Sequence, residues 1–196
     1  MITIIDYGAG NLRSIQRAIE ENGATAEVSG DVDRIASADR LVLPGVGNAK
    51  AAMEQLRASG IADAVREQAH KGTPLLGVCL GMQLLFGDQE EGPTIGLGLL
   101  EGSVRKLPND HKIPHMGWNT VRFTDNSLLK DLPPASYYFV HSYYVQPSDV
   151  DDIAGETDYG LRFPSIVVRE TIWGMQFHPE KSHRAGLNLI KHWLRS

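Results

Sequence analysis

Short apolar runs alternate with helix-patterned stretches through the first half of the chain, and this alternation restricts the architectures open to it. "ITIID" (Ile2 to Asp6) is β-branched and ends in a glycine-containing turn, as a buried strand does. Asn11 can cap a following helix in which Leu12, Ile15, Ala18 and Ile19 recur at helical spacing, with Gly23 as its stop. "ATAEVS" and "RLVLPGVG" are two further strands, the second broken by Pro44 and Gly45. Helices are expected over Ala49–Ala58 and Ile61–His70. A fourth strand, "TPLLGVCL", runs directly into a helical "GMQLLF". This βαβα rhythm predicts a three-layer, doubly wound, mostly parallel sheet with helices on both faces.

The second half changes character. "GSVRKL", "WNTVRF", "SYYFVHSYYV", "SIVVRE" and "IWGMQF" are strand-like with short connections, and predict added antiparallel strands in the C-terminal half. A last helix covers His183–Arg195, with Leu187, Ile190 and Leu194 on one stripe. The chain shows no repeat or linker, so residues 1–196 read as one domain. At 42% hydrophobic residues, 196 residues can bury a core.

Net charge is −5, and the basic residues are scattered. This argues against nucleic acid as a partner. No run reaches the roughly 18 apolar residues of a membrane span, and the start lacks the pattern of a signal peptide. A single cysteine offers no internal disulfide, so a reducing cytoplasm is expected.

That cysteine is Cys79, in "GVCLGMQ". A nucleophile needs exposure and thiolate character, which a strand turning sharply into a helix supplies. Such a turn is crowded, and Gly77 and Gly81 keep both flanks small, in the manner of the G-x-S-x-G elbow. The N–H of Leu80 would then face the reacting carbonyl. Alternatively, Cys79 is a small hydrophobe filling the core. The motif leaves both readings open.

"WGMQFHPEKSH" supplies a partner. A thiolate attacking an amide needs a group to protonate the departing nitrogen, and histidine titrates in the right range. Glu180 lies two residues beyond His178, on the same side of an extended chain. It could fix the ring's tautomer, as the acid of a triad does. A surface His and a surface Glu at a strand end would give the same letters. A metal site built on His178, Glu180 and His183 is disfavoured, because Cys79 lies in another element. In "PGVG", Gly45 and Gly47 could turn backbone N–H groups toward a nearby site, or simply form a β-turn.

Together "PGVG", "GVCLGMQ" and "QFHPEKS" resemble the class I, triad-type glutamine amidotransferases in order and spacing. "DYGAGNLRS", "IPHMGWN" and "YYFVHSYYV" narrow the resemblance to the glutaminase subunits of imidazole glycerol phosphate synthases. The resemblance spans essentially the whole chain. It implies hydrolysis of L-glutamine with Cys79 as nucleophile, His178 as acid and base, and Glu180 as its orienter. It implies oxyanion-hole N–H groups from Leu80 and the Gly45–Val46 region. Gln83 would line the glutamine pocket, and Glu91 would receive the substrate ammonium. His141, Ser142 and Tyr143 would form the segment that grips the substrate carboxylate.

The same resemblance implies no cofactor, no metal, and a separate β/α-barrel cyclase subunit as partner in a heterodimer. Ammonia would pass to it unreleased. Asn11, Trp118, Tyr138 and Lys181 would meet this partner. The two glycines of "PGVG" themselves permit a peptide flip at low cost, which would couple glutaminase activity to the cyclase's ligand, and a β-branched residue at Gly45 should disturb it. Two alternatives are a glutaminase serving another synthase, such as a pyridoxal phosphate synthase, and a silent homologue. "PHMGWN" and "DYGAGNLRS" speak against the first. The presence of Cys79, His178 and Glu180 speaks against the second.

Overall fold

The computed structural model describes residues 1–125 and 128–196. Its first half is β1 (Ile2–Ile5), α1 (Leu12–Glu21), β2 (Ala26–Ser29), α2 (Val32–Ala36), β3 (Arg40–Gly45), α3 (Ala49–Ala58), α4 (Ile61–His70), β4 (Leu75–Cys79) and α5 (Leu80–Leu84). Strands β5 (Phe86–Gln89), β6 (Thr94–Ile95), β7 (Leu100–Lys106), β8 (His115–Phe123), β9 (Ala135–His141) and β10 (Tyr143–Pro147) follow. The chain then forms β11 (Ile153–Asp158), β12 (Arg162–Arg169), β13 (Ile172–Met175) and α6 (His183–Arg195).

Among the described residues, nine strands form one sheet in the order β2-β1-β3-β4-β13-β12-β11-β8-β9. From β2 to β13 every pairing is parallel; from β13 to β9 every pairing is antiparallel. All four residues of β1 and all five of β4 are buried. This is what continuous apolar runs require when both faces of a sheet are covered. One face carries a core of Leu43, Met53, Leu56, Val65 and Leu80, under α3, α4 and α5. The other buries Ile15, Ile19, Trp173, Leu189 and Trp193, under α1 and α6.

Several expectations are corrected. Strand β3 runs through Pro44 and Gly45 instead of breaking there, and pairs Gly45 with Cys79. Proline is tolerated because the pairing of β3 with β1 ends at Ile4 and Val42, so at Pro44 only the β4 side of the strand carries a ladder. Asn11 occupies the N-cap position of α1, but its side chain makes no capping hydrogen bond. The buried stripe of α6 is Gly186, Leu189, Ile190 and Trp193, while Leu187 and Leu194 are only partly buried. "SYYFVHSYYV" is not one strand. It breaks at Ser142: β9 completes the large sheet, whereas β10 joins a second sheet in the order β10-β7-β5-β6. No helix among the described residues is long and apolar enough to cross a membrane.

The carboxyl ends of β3, β4 and β13 lie side by side. Open α/β sheets bind ligands outside such ends.

Candidate active site

Cys79 closes β4 and opens α5 with φ 55° and ψ −112°, a conformation that costs a non-glycine residue energy. The surrounding packing enforces it. A Cβ on Gly77 would stand 2.7 Å from the carbonyl oxygen of Gly81, so the helix could not fold back over the strand. A Cβ on Gly81 would overlap the backbone carbonyl of Leu43 in β3. One glycine admits the turn itself and the other admits the neighbouring strand. The core-filler alternative accounts for neither the strained turn nor the cavity onto which the cysteine opens.

The sulfur has weak contacts. It lies 3.8 Å from the Val140 carbonyl oxygen and accepts from Gln176 Nε2 at 3.9 Å. Gln176 Oε1 in turn accepts from Gln83 Nε2 at 3.1 Å. Gln176 is fully buried and did not figure among the sequence candidates; a glutamine inside the apolar run "IWGMQF" was its signal.

His178 and Glu180 are not surface residues: their side chains are 3% and 1% exposed. Nδ1 of His178 lies 2.9 Å from Oε1 of Glu180. The contact is made across a 3-10 turn, Pro179–Lys181, and not along extended chain. The carboxylate can only accept, so Nδ1 carries a proton and Nε2 is the nitrogen not engaged by Glu180. Nε2 is buried and makes no hydrogen bond within the described residues. Burial alone would lower the imidazole's pKa. The nearby Cys79 sulfur and Glu180 outweigh it and raise the value to about 9.

Ser182 fixes the loop. Its hydroxyl donates to the His178 carbonyl at 2.6 Å and accepts from Tyr138 N at 2.9 Å. His178 N donates to the Tyr138 carbonyl. Sequence reading missed this residue, because a serine beside a histidine has no distinctive spacing.

Cys79 and His178 share a cavity of about 310 Å³ with Val46, Gly47, Leu80, Gln83, Glu91, His141, Ser142 and Tyr143. It is large enough for a small amino acid. Glu91 accepts from Ala49 N, at the start of α3, at 2.8 Å. Burial raises its pKa, against the opposing hydrogen bonds of Ala49 and Asn48. His141 forms part of the wall, but both its ring nitrogens are engaged elsewhere: Nδ1 with the Tyr143 carbonyl at 2.8 Å and Nε2 with His115 at 2.9 Å.

Gly45 of "PGVG" is buried, and a Cβ there would stand 2.8 Å from Gly81 N. Gly47 is the residue with a left-handed φ, 95°, and open space around it. The Pro44 carbonyl is held at 3.0 Å by the hydroxyl of Tyr7, a buried phenol whose pKa is raised by burial and by Cys79.

The four expected partner-facing residues sit outside the cavity. Trp118 is half exposed and stacks on His183 at 5.0 Å; Tyr138 meets Trp118 edge-on at 6.0 Å. Lys181 Nζ lies 5.9 Å from the Tyr138 ring centroid. Asn11 is exposed at the start of α1, the helix packed against the 3-10 turn that contains Lys181.

Comparison with known proteins now identifies the group to which this geometry belongs. The model of the glutamine amidotransferase class-I family matches residues 3–195. Imidazole glycerol phosphate synthase subunit HisH of Moorella thermoacetica is 48% identical over 195 residues, covering 98% of this chain and 93% of its own. The protein of the same name from Methanopyrus kandleri is 48% identical, covering 96% and 94%. Among solved structures, one titled as a glutamine amidotransferase superposes with TM-score 0.80 at 19% identity, covering 99% of this chain and 97% of that one. A structure of PurLQS from Thermotoga maritima gives 0.71 at 21%, covering 99% and 95%. These two likenesses concern the fold. The chain belongs to the class-I glutamine amidotransferase family and, within it, to the family of imidazole glycerol phosphate synthase subunit HisH.

Proposed function

We propose that this chain hydrolyses the side-chain amide of L-glutamine and passes the ammonia to a separate barrel cyclase, the two forming an imidazole glycerol phosphate synthase. The observation that carries the reading is the opening of Cys79, on its strained turn, and of the buried His178–Glu180 pair onto one cavity.

The Cys79 thiolate attacks the amide carbon, and the amide oxygen takes up negative charge. Backbone N–H groups of Leu80 and the Gly45–Val46 region receive that charge. His178, protonated and oriented by Glu180, gives its proton to the nitrogen, which leaves as ammonia. A γ-glutamyl thioester remains. Water attacks it with His178 as base, releasing glutamate and the thiolate. Gln83 and Glu91 shape the substrate pocket, Glu91 facing the substrate ammonium. The His141–Ser142–Tyr143 segment holds the substrate carboxylate.

The cyclase docks where Asn11, Trp118, Tyr138 and Lys181 lie. Aromatic side chains beside a cation are what such interfaces favour. Ammonia delivered there yields imidazole glycerol phosphate and aminoimidazole carboxamide ribonucleotide, in cytoplasmic histidine biosynthesis. Movement of the "PGVG" backbone couples partner to site, through Gly47 in preference to Gly45.

The test is a synthase assay with the cognate cyclase. Cys79→Ala should abolish glutamine-dependent turnover and keep turnover with ammonium salts. Loss of both would contradict this division of labour.

A further inference from the structure

His115 and His141 face each other across strands β8 and β9, as register partners in an antiparallel pair. Both are buried. His115 is sandwiched between Phe139, at 4.8 Å, and Tyr159, at 4.0 Å. Neither ring is a member of the Cys79–His178–Glu180 group. Two hydrogen-bonded imidazoles buried against aromatic rings need a reason, since burying unneeded polarity is costly.

The direction of every hydrogen bond in this cluster is determined. The Tyr143 carbonyl can only accept, so His141 Nδ1 donates to it at 2.8 Å. A neutral His141 then accepts at Nε2, so the facing Nδ1 of His115 donates at 2.9 Å. His115 Nε2 is left as an acceptor, and Asn119 Nδ2 supplies a proton at 3.2 Å. Asn119 cannot be turned round. Its Oδ1 accepts from Thr120 N at 2.7 Å, and its Nδ2 also donates to the Asp158 carbonyl at 2.9 Å. The chain of donors therefore runs one way, from Asn119 through His115 and His141 to Tyr143.

Its end point is the cavity wall. Ser142 is the single residue between β9 and β10, where the backbone leaves one sheet for the other, and Ser142 and Tyr143 both line the cavity with Cys79. The Tyr143 carbonyl receives the His141 proton together with one from Gln83 Nε2, at 2.9 Å. This double hold adds to the one hydrogen bond the second sheet offers Ser142, from Leu107 N to the Ser142 carbonyl at 2.9 Å, and ties the corner to the first sheet as well.

We propose that His115 is a positioning residue of the glutaminase site: through His141 it holds the Tyr143 carbonyl, and with it the Ser142–Tyr143 corner that shapes the substrate pocket. Burial supports the one-way chain, because it lowers the pKa of His115 to about 4 and keeps His141 neutral as well. The proposal rests on the functional reading above.

Two measurements test it. Nitrogen-15 NMR of the full chain at neutral pH should show both rings neutral with the proton on Nδ1. A proton on Nε2 of either ring would overturn the relay. In the complex with the cyclase, His115→Phe keeps the ring sandwich and removes the donor. It should raise KM for glutamine about tenfold with kcat within about twofold. His115→Asn, whose amide N–H can stand in for Nδ1–H, should restore KM. An unchanged KM in the Phe variant, or an Asn variant no better than Phe, would overturn the proposal. The tautomers are read without turnover. A wild-type complex unable to hydrolyse glutamine would therefore sink the functional reading while the NMR result still decides the relay.

Discussion

The Nδ1 atom of His178 lies 2.9 Å from Oε1 of Glu180, with both side chains almost wholly removed from solvent. Besides fixing the Nδ1 proton, a carboxylate so placed favours the charged imidazole. Glu180→Gln keeps the shape of the pair and removes the charge, so the His178 pKa should fall from its raised position. Cys79→Ala should lower it as well, because the sulfur also raises it. A pH titration of the His178 ring resonances checks both, and an unmoved midpoint in either variant would count against the coupling.

Stability should carry the same signature. The folded pKa of His178, about 9, lies above its ordinary value of 6.5. Its contribution is full below pH ~6.5 and is lost as pH rises through about 9. Urea unfolding of the wild type and of His178→Asn, compared across this window, should show the wild-type advantage shrinking with rising pH. An advantage that grew would contradict the pKa assignment.

Glycine substitutions should separate packing from backbone freedom. Gly81→Ala drives a Cβ into the Leu43 carbonyl and should cost about 3 kcal/mol, read from unfolding midpoints. Gly45→Val meets Gly81 N and Leu80 Cβ, so its loss of activity would report packing. Gly47→Ala meets nothing and costs only left-handed strain, about 1 kcal/mol. If movement of this segment couples the site to the cyclase, Gly47→Ala should alter activation by the partner at little cost in stability. Activation identical to wild type would argue against that coupling.

Tyr7→Phe leaves the buried Pro44 carbonyl without its hydroxyl donor. The expected loss of stability is about 1–3 kcal/mol. Because Pro44 adjoins Gly45, glutamine turnover should fall too. A variant as stable and as active as the wild type would show that the Tyr7 hydrogen bond does not hold this strand.

The alternation that produces β1 to β4 was legible because buried parallel strands must be continuously apolar. The elbow was legible because a crowded turn leaves only glycine at Gly77 and Gly81. Legibility ended where long-range pairing decides. Nothing local in "SYYFVHSYYV" marks Ser142 as the point of leaving one sheet; the partners β8 and β7 impose it. The His178–Glu180 contact could be expected from spacing, but the 3-10 turn that makes it could not. The His115–His141 pair is written 26 residues apart and becomes visible only when β8 and β9 are in register. Gln176 and Ser182 act through hydrogen bonds to Cys79 and to the His178 backbone, which single-residue patterns do not encode.

The central claim is that Cys79 is the nucleophile. Incubating the complex with glutamine and the cyclase's ligand, quenching in acid, and mapping the peptides by mass spectrometry tests it directly. A γ-glutamyl adduct on Cys79, absent from Cys79→Ala, is the predicted result. Glutamate release with no adduct on Cys79, or release that persists in Cys79→Ala, would contradict it.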